Sequence, residues 1–238
     1  MISNMNIKQR IDRMLHKYVY KITERVYLNN IINLECQISN IAAKETAEYI
    51  LKNMPKVRSF KTIPEFFKHA VNSADKEGDI LEFGVYKGDT INLISSFTNK
   101  TVIGFDSFVG FPEDWRTGYE KDVFNLGGKL PKVNSNVRLI KGWFEEGIKE
   151  YLKKANNEKI SFIHMDGDLY SSAKTVLDLL GHKIKSGTII LFDDYFNHAN
   201  WKQGEFKAFQ EFVKKNKIKY EYIGYLHRNG GAVTVRIL

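Results

Sequence analysis

The sequence predicts an α/β protein with a mostly parallel sheet, a terminal antiparallel hairpin and a helical N-terminal extension. Three observations predict it. Short apolar runs alternate with amphipathic stretches from about residue 80 to 215, the rhythm of repeated strand–helix units. Acidic residues sit at the ends of those runs: Glu82, Asp106, Asp166 with Asp168, and Asp193 with Asp194. Two final apolar runs flank Arg228-Asn229-Gly230-Gly231, a hairpin-turn signal. Open parallel sheets bind ligands beyond the carboxyl ends of their strands, so the acids mark one functional rim.

The elements follow in order. Residues 1–75 read as helices. Ile11, Met14, Leu15, Tyr18, Ile22 and Val26 recur at three- and four-residue spacing with Lys, Arg and Glu between them. A second helix is expected from Ile41 to Met54. A third runs from Ile63 to Ala74 behind Thr62-Ile63-Pro64-Glu65, with proline in the first turn. This extension reads as a lid, as packing or as a homo-oligomer interface. A basic amphipathic helix can also lie on a membrane surface, the less favoured reading here because apolar residues continue beyond it at Ile31, Ile32 and Leu34. Residues 76–238 form the main domain. Strands are expected at Ile80–Val85, Thr101–Phe105, Val137–Ile140, Ile160–Met165 and Thr188–Phe192. Helices are expected at Thr90–Phe97, Trp143–Lys153, Ser172–Ile184 and Glu205–Lys215. Tyr220–Leu226 and Gly231–Leu238 close the sheet.

Composition bounds the partners. The chain has 238 residues, 43% hydrophobic, enough to build a core. Its net charge of +8 comes from scattered lysines. A solvated lysine-rich surface explains that charge, and a phosphate-bearing partner such as a nucleotide sugar would also suit it. No basic stripe interleaved with aromatics suggests nucleic acid. The single cysteine, Cys36, excludes an intramolecular disulfide and reads as a packed structural residue. No run approaches the length of a membrane span and no signal-peptide pattern opens the chain, so a cytoplasmic protein is expected.

Glu82-Phe83-Gly84-Val85-Tyr86-Lys87-Gly88 leaves the first strand and opens a helix. Glycines in such a turn let the backbone approach a ligand. Asp106, at the end of the next strand, can accept the hydroxyls of a ribose. A pyrophosphate cofactor wants Gly-x-Gly-x-x-Gly, and here Glu82 fills the first glycine slot. A carboxylate there would repel phosphate and attract an amine or sulfonium, which favours S-adenosylmethionine over NAD. Asp166, Asp193 and Asp194 end two strands expected to be neighbours. Crowded carboxylates repel each other, and a divalent cation relieves that cost. All-oxygen donors point to Mg²⁺ or Mn²⁺. Helix capping is the competing explanation, above all for Asp168 and Ser171.

Together these residues resemble one family. The Glu82–Gly88 turn, Gly104-Phe105-Asp106-Ser107-Phe108 with Gly110-Phe111-Pro112, Gly142-Trp143-Phe144, His164–Ser172 and Asp193-Asp194-Tyr195 look like the macrocin O-methyltransferase family. The resemblance implies a class I methyltransferase fold with a seven-stranded sheet, S-adenosylmethionine as methyl donor, and Mg²⁺-dependent transfer to a sugar hydroxyl. It implies that Glu82, Gly84, Val85 and Tyr86 lie at the methionine end of the cofactor. Asp106 would hold the ribose with Ser107 nearby, and Gly142 and Trp143 would flank the adenine. Asp166, Asp193 and Asp194 would be the metal ligands. Asp166, also expected at the cofactor, can touch both metal and hydroxyl and is the first candidate for proton acceptor, with His198 the second. The acceptor is expected to be a small-molecule sugar, nucleotide-linked or part of a glycan precursor. A glycosylated secondary metabolite or catechol-like diol is the alternative. An NAD-dependent oxidoreductase and a non-catalytic scaffold are the readings from other classes. The stretch Phe196–Lys202 and the first 60 residues match no family pattern, and both are expected to touch the acceptor or a partner subunit.

Overall fold

The computed structural model describes residues 7–116, 118–227 and 231–238. The chain begins with two helices, α1 (Ile7–Ile32) and α2 (Leu34–Asn53), then strand β1 (Ser59–Phe60) and helix α3 (Ile63–Ser73). Alternation follows: β2 (Asp79–Phe83), α4 (Asp89–Ser96), β3 (Val102–Asp106), β4 (Val137–Lys141), α5 (Phe144–Lys154), β5 (Ile160–Met165), α6 (Tyr170–Leu180) and β6 (Ile189–Phe192). Helix α7 (Glu205–Asn216), β7 (Tyr220–Leu226) and β8 (Val233–Ile237) complete it.

One sheet runs β1-β7-β8-β6-β5-β2-β3-β4. β8 alone runs against its neighbours, β6 and β7. The expected parallel sheet with a terminal antiparallel pair is therefore present. It has eight strands rather than seven, because the two-residue β1 adds itself to β7 at the edge. A two-residue strand leaves no periodic trace in sequence. The turn expected at Arg228-Asn229-Gly230 lies outside the described residues.

Strand residues alternate between two cores. Leu81, Phe83, Ile163, Met165, Ile190 and Phe192 face α5, α6 and α7. Ile80, Phe162, Ile189 and Leu191 face Phe66 and Phe67 of α3 and Ile91 and Ile94 of α4. Both faces are covered, which is why these strands read as continuous apolar runs.

Local chemistry fixes several element ends. The Thr62 hydroxyl accepts the Glu65 N–H and donates to the Glu65 carboxylate, an N-cap that starts α3. Asn33 caps α2 by accepting from the N–H groups of Glu35 and Cys36, so this helix begins at Leu34 and not at Ile41. Strand β2 stops at Phe83, with Val85 already in the following turn and packed in the core. Cys36 is only half-buried, its thiol 3.3 Å from Asn30 Oδ1.

The two stretches without a recognisable pattern meet each other. The Asn197 N–H donates to the Thr46 hydroxyl of α2 at 2.9 Å, Lys202 pairs with Glu45 at 2.9 Å, and Tyr49 packs edge-on against buried Trp201. Helix α2 is thereby fastened to the loop after β6. No helix among the described residues is long and apolar enough to cross a membrane.

Candidate active site

A cleft of about 620 Å³ opens beyond the carboxyl ends of β2, β3, β5 and β6. Its floor is the acidic rim, and its other walls carry Tyr86, Phe111, Trp115, Tyr119, Phe124 and Trp143. The strand order puts β5 between β2 and β6, so the turns after all three converge.

The turn after β2 is built for close packing. Gly84 has φ +95°, and a Cβ there would lie 1.8 Å from the Asp166 carbonyl oxygen. The glycine thus serves the approach of two strand ends. Asp106 ties the same turn from the other side. Its Oδ2 accepts the N–H groups of Val85 and Tyr86 at 2.8 and 2.7 Å, and its Oδ1 accepts that of Phe108 at 2.6 Å. A carboxylate has about four acceptor sites, so three main-chain bonds leave it room for one more donor from the cleft. Tyr86, Phe108 and Asp168 hold left-handed backbone conformations at φ 46°, 57° and 59°. Such geometry costs roughly 1–3 kcal/mol per residue and clusters at functional sites.

The remaining expected cofactor residues divide. Gly84, Tyr86, Asp106, Ser107, Trp143 and Asp166 line the cleft. Glu82 and Val85 do not; they point into the core. Glu82 is fully buried, with Oε1 2.8 Å from His164 Nδ1 on the adjacent strand. Gly142 lies behind the wall, its N–H donating to the Asp106 carbonyl at 2.9 Å. The Ser107 hydroxyl donates to the Gly110 carbonyl and accepts the Val109 N–H, shaping the loop over the cleft.

Asp166, Asp168 and Asp194 each offer an oxygen within 4.8 Å of the others. The compact set therefore takes Asp168 where the sequence suggested Asp193. Asp193 also lines the cleft, beside this set. Asp168 does not cap α6, whose N-cap is Leu169 with no side-chain bond. Its left-handed φ turns the residue back toward Asp194 instead.

Burial is the largest cause that pushes the Asp166 and Asp168 carboxyls well above their ordinary range. Mutual repulsion adds to it: Asp193 acts on Asp166, and Asp194 on Asp168. Arg116 opposes the rise at Asp168. Burial lifts Asp193 to about 6, with His164 pulling the other way. A further acid, Glu205, was not singled out from sequence because an acid in a first helical turn is ordinary. Here it is fully buried, accepts the Asp194 N–H at 3.1 Å, and is raised by burial and by the neighbouring aspartates. Five carboxyls packed this closely carry an electrostatic cost that a hard divalent cation would remove, and the donor set fits Mg²⁺ or Mn²⁺.

His198 stands off this cluster. Its Nε2 lies 3.1 Å from the Asp194 carbonyl oxygen and its Nδ1 3.0 Å from that of Ala199. A neutral imidazole donates through only one of these two nitrogens, and His198 is not among the residues that line the cleft. Its ring also leans on Trp115, with centroids 5.8 Å apart.

The profile of the Macrocin-O-methyltransferase (TylF) family matches residues 58–225. The chain belongs to the macrocin O-methyltransferase family. Among characterised relatives it is 28% identical over 142 residues to demethyldecarbamoylnovobiocin O-methyltransferase of Streptomyces niveus, covering 50% of this chain and 53% of that one. It is 27% identical over 157 residues to mycinamicin III 3''-O-methyltransferase of Micromonospora griseorubida, covering 54% and 60%. The match thus spans somewhat more than half the length of these relatives. Solved structures share the fold, that of class I methyltransferases. The calicheamicin methyltransferase CalS11 superposes with a TM-score of 0.58 at 18% identity, over 85% of this chain and 92% of that one. The O-methyltransferase NovP gives 0.53 at 23%, over 73% and 78%.

Proposed function

We propose that this member of the macrocin O-methyltransferase family is an S-adenosylmethionine-dependent, divalent-cation-assisted O-methyltransferase acting on a sugar hydroxyl. The observation that carries the reading is the Asp166–Asp168–Asp194 set, at the ends of two adjacent strands and in the same cleft as the Asp106-tied turn. Tyr86, Asp106 and Trp143 would hold the cofactor, and Asp166, Asp168 and Asp194, with Asp193 beside them, the cation. When bound, the cofactor supplies an electrophilic methyl group, and the cation supplies the Lewis acidity that makes a sugar hydroxyl acidic.

The chain's own residues do the rest. The carboxylate set orients the acceptor hydroxyl by fixing what that hydroxyl binds. Asp166 receives its proton: it lies in the set and it lines the cleft. Glu205 steadies Asp194 from behind through the main-chain N–H. The loop carrying Phe111, Trp115 and Tyr119 forms the far wall and excludes water from the aligned groups.

The acceptor we favour is a nucleotide-linked or glycan-precursor sugar. Arg116 is the one basic residue among the described residues that line the cleft. Its guanidinium lies 4.0 Å over Trp115 and 4.5 Å over Tyr119, and its buried Nε has no hydrogen-bond partner. A phosphate oxygen is a fitting acceptor for that donor. CalS11 is described in a second structure as a TDP-rhamnose 3'-O-methyltransferase. A glycosylated secondary metabolite is the second reading, favoured by the aromatic wall and by the novobiocin and mycinamicin relatives.

The test is methyl transfer from isotopically labelled S-adenosylmethionine to a panel of sugar nucleotides and glycosides, with Mg²⁺ or with chelator. A product one methyl heavier, formed only with the cation, supports the reading. Binding of S-adenosylhomocysteine without transfer in either condition would leave a binding protein on this fold. No binding at all would sink the cofactor assignment.

A further inference from the structure

We propose that α1 is a peripheral membrane-docking helix that lies on an anionic lipid surface. The proposal does not rest on the methyl-transfer reading.

Every α1 side chain that is described is exposed, so this helix buries little against its own chain. Yet it is rich in large apolar residues: Ile11, Leu15, Tyr18, Ile22 and Val26 are 47%, 55%, 66%, 59% and 55% exposed. At about 100° per residue, these five and Met14 fall within an arc of roughly 120°. Exposed apolar stripes of this length mark an interaction surface. Helix α2 is fastened to the body through Thr46, Glu45 and Tyr49, so α1 leads away from an anchored base.

Charge selects the occupant. The helix carries Lys8, Arg10, Arg13, Lys17, Lys21 and Arg25 against Asp12 and Glu24, a net charge of +4. Arg10, Lys17 and Lys21 fall within an arc of about 40° that borders the apolar stripe, while Lys8 and Arg25 fall within the stripe near its two ends along the helix. From Ile11 to Val26 the apolar stripe with long basic side chains along its edge resembles helices that lie in the headgroup region, and Tyr20, Tyr27, Leu28 and Ile31 add exposed apolar surface outside the stripe. The apolar stems insert while the ammonium and guanidinium groups reach lipid phosphates.

A second copy of the chain fits less well. A two-stranded seam needs apolar residues alternately four and three apart. Along the stripe that seam runs through Ile11, Leu15, Tyr18 and Ile22, then takes Arg25 and Asn29 before Ile32. Two such helices would bring like charges into the seam, with no acidic stripe to answer them. A homo-oligomer through α1, expected from the sequence, is therefore the competing outcome.

The experiment is vesicle flotation of the full chain on phosphatidylcholine alone and on phosphatidylcholine mixed with phosphatidylglycerol, at low and high salt. Flotation is expected on the anionic vesicles only, and is expected to weaken as salt rises. The pair Lys17→Gln and Lys21→Gln is expected to weaken partition roughly 30-fold, about fivefold per charge removed. The pair Leu15→Ser and Ile22→Ser is expected to abolish insertion on the same vesicles. These side chains are exposed, so circular dichroism and thermal unfolding of both variants should match the parent. Failure to float on anionic vesicles overturns the proposal. So does equal flotation on neutral vesicles, indifferent to the lysine changes. A dimer by light scattering that Leu15→Ser with Ile22→Ser converts to a monomer, without vesicle binding, assigns the stripe to a second copy instead.

Discussion

His164 and Glu82 meet across two adjacent parallel strands, Nδ1 to Oε1 at 2.8 Å, with neither side chain reached by solvent. Burial raises the Glu82 carboxyl, and the bond to His164 opposes that rise. Phe67 closes the pocket, its ring centroid 4.9 Å from that of His164. Removing one partner leaves a polar group buried and uncompensated, at a cost of about 3–5 kcal/mol. Glu82→Ala is expected to lose stability on that scale in urea unfolding. Glu82→Gln, which can still hydrogen-bond, is expected to lose less. A double-mutant cycle with His164→Ala should show coupling. Affinity for S-adenosylhomocysteine should hardly change, since Glu82 is not in the cleft wall. A large loss of that affinity at unchanged stability would return Glu82 to the cofactor.

The acidic cluster makes the metal-free protein weaker as pH rises. Asp193 is held at about 6 against an ordinary 3.8, and Asp166, Asp168 and Glu205 are also raised. A raised carboxyl stabilises the fold below its unfolded value, and that contribution disappears as pH climbs through the folded value. Asp193 alone accounts for a fall on the order of 3 kcal/mol between about pH 4 and pH 6. Exposed helix pairs such as Glu145 with Lys149 are shifted the other way, but solvent screening keeps them small. With chelator present, the unfolding temperature is expected to fall across this window. Mg²⁺ should restore it increasingly as pH rises. Stability that climbs with pH in chelator would contradict the arrangement of the cluster.

The choice between Asp168 and Asp193 as ligand is open to a direct comparison. Asp168 shares the 4.8 Å set with Asp166 and Asp194, whereas Asp193 has His164 as the influence that opposes its rise. Asp168→Asn is expected to raise metal-free stability by about 1 kcal/mol or more, because it removes one of several crowded charges. It is also expected to lower Mg²⁺ affinity, and turnover with it, by at least the roughly 10- to 100-fold that loss of a group supporting a ligand costs. Asp193→Asn should weaken the ion less and leave cofactor binding intact. Calorimetry with Mg²⁺ decides the order, and a larger loss at Asp193 would restore the set read from sequence.

What the sequence made legible follows from what each feature depends on. Ile160–Met165 and Ile189–Phe192 were readable because both of their faces are buried, which leaves an unbroken apolar run. The acids that end them were readable as strand ends, so Asp166 and Asp194 could be placed on one rim. Asp168 joins them only because its backbone adopts φ 59°, a tertiary choice without a local signature. Glu205 looks like any acid opening a helix, and only the packing of α7 under Asp194 buries it. Glu82 misled for the opposite reason: its place in the glycine turn suggested a ligand, but strand alternation aims it at the α3 face. At Gly84 the absent Cβ makes room for Asp166, while the residue still lines the cleft.

The aromatic wall gives the last expectation. Trp115 touches Phe111, Tyr119 and His198 edge-on, and Arg116 lies over its face at 4.0 Å. One ring thus holds the loop and positions the single cation of the described cleft lining, and on the proposed function it would stack on a sugar or base. Removing it should act on binding of the acceptor more than on chemistry, because the carboxylate set and the Asp106-tied turn do not depend on it. Trp115→Ala is expected to raise the acceptor KM by about 10-fold or more, the scale of a lost stacking contact plus a freed guanidinium. The affinity for S-adenosylhomocysteine should stay near the parent value, and kcat should fall less than KM rises. Trp115→Phe keeps a face for the guanidinium and should recover much of the loss. If kcat collapses while KM is unchanged, Trp115 instead helps to align the reacting groups, and the acceptor is held elsewhere in the cleft.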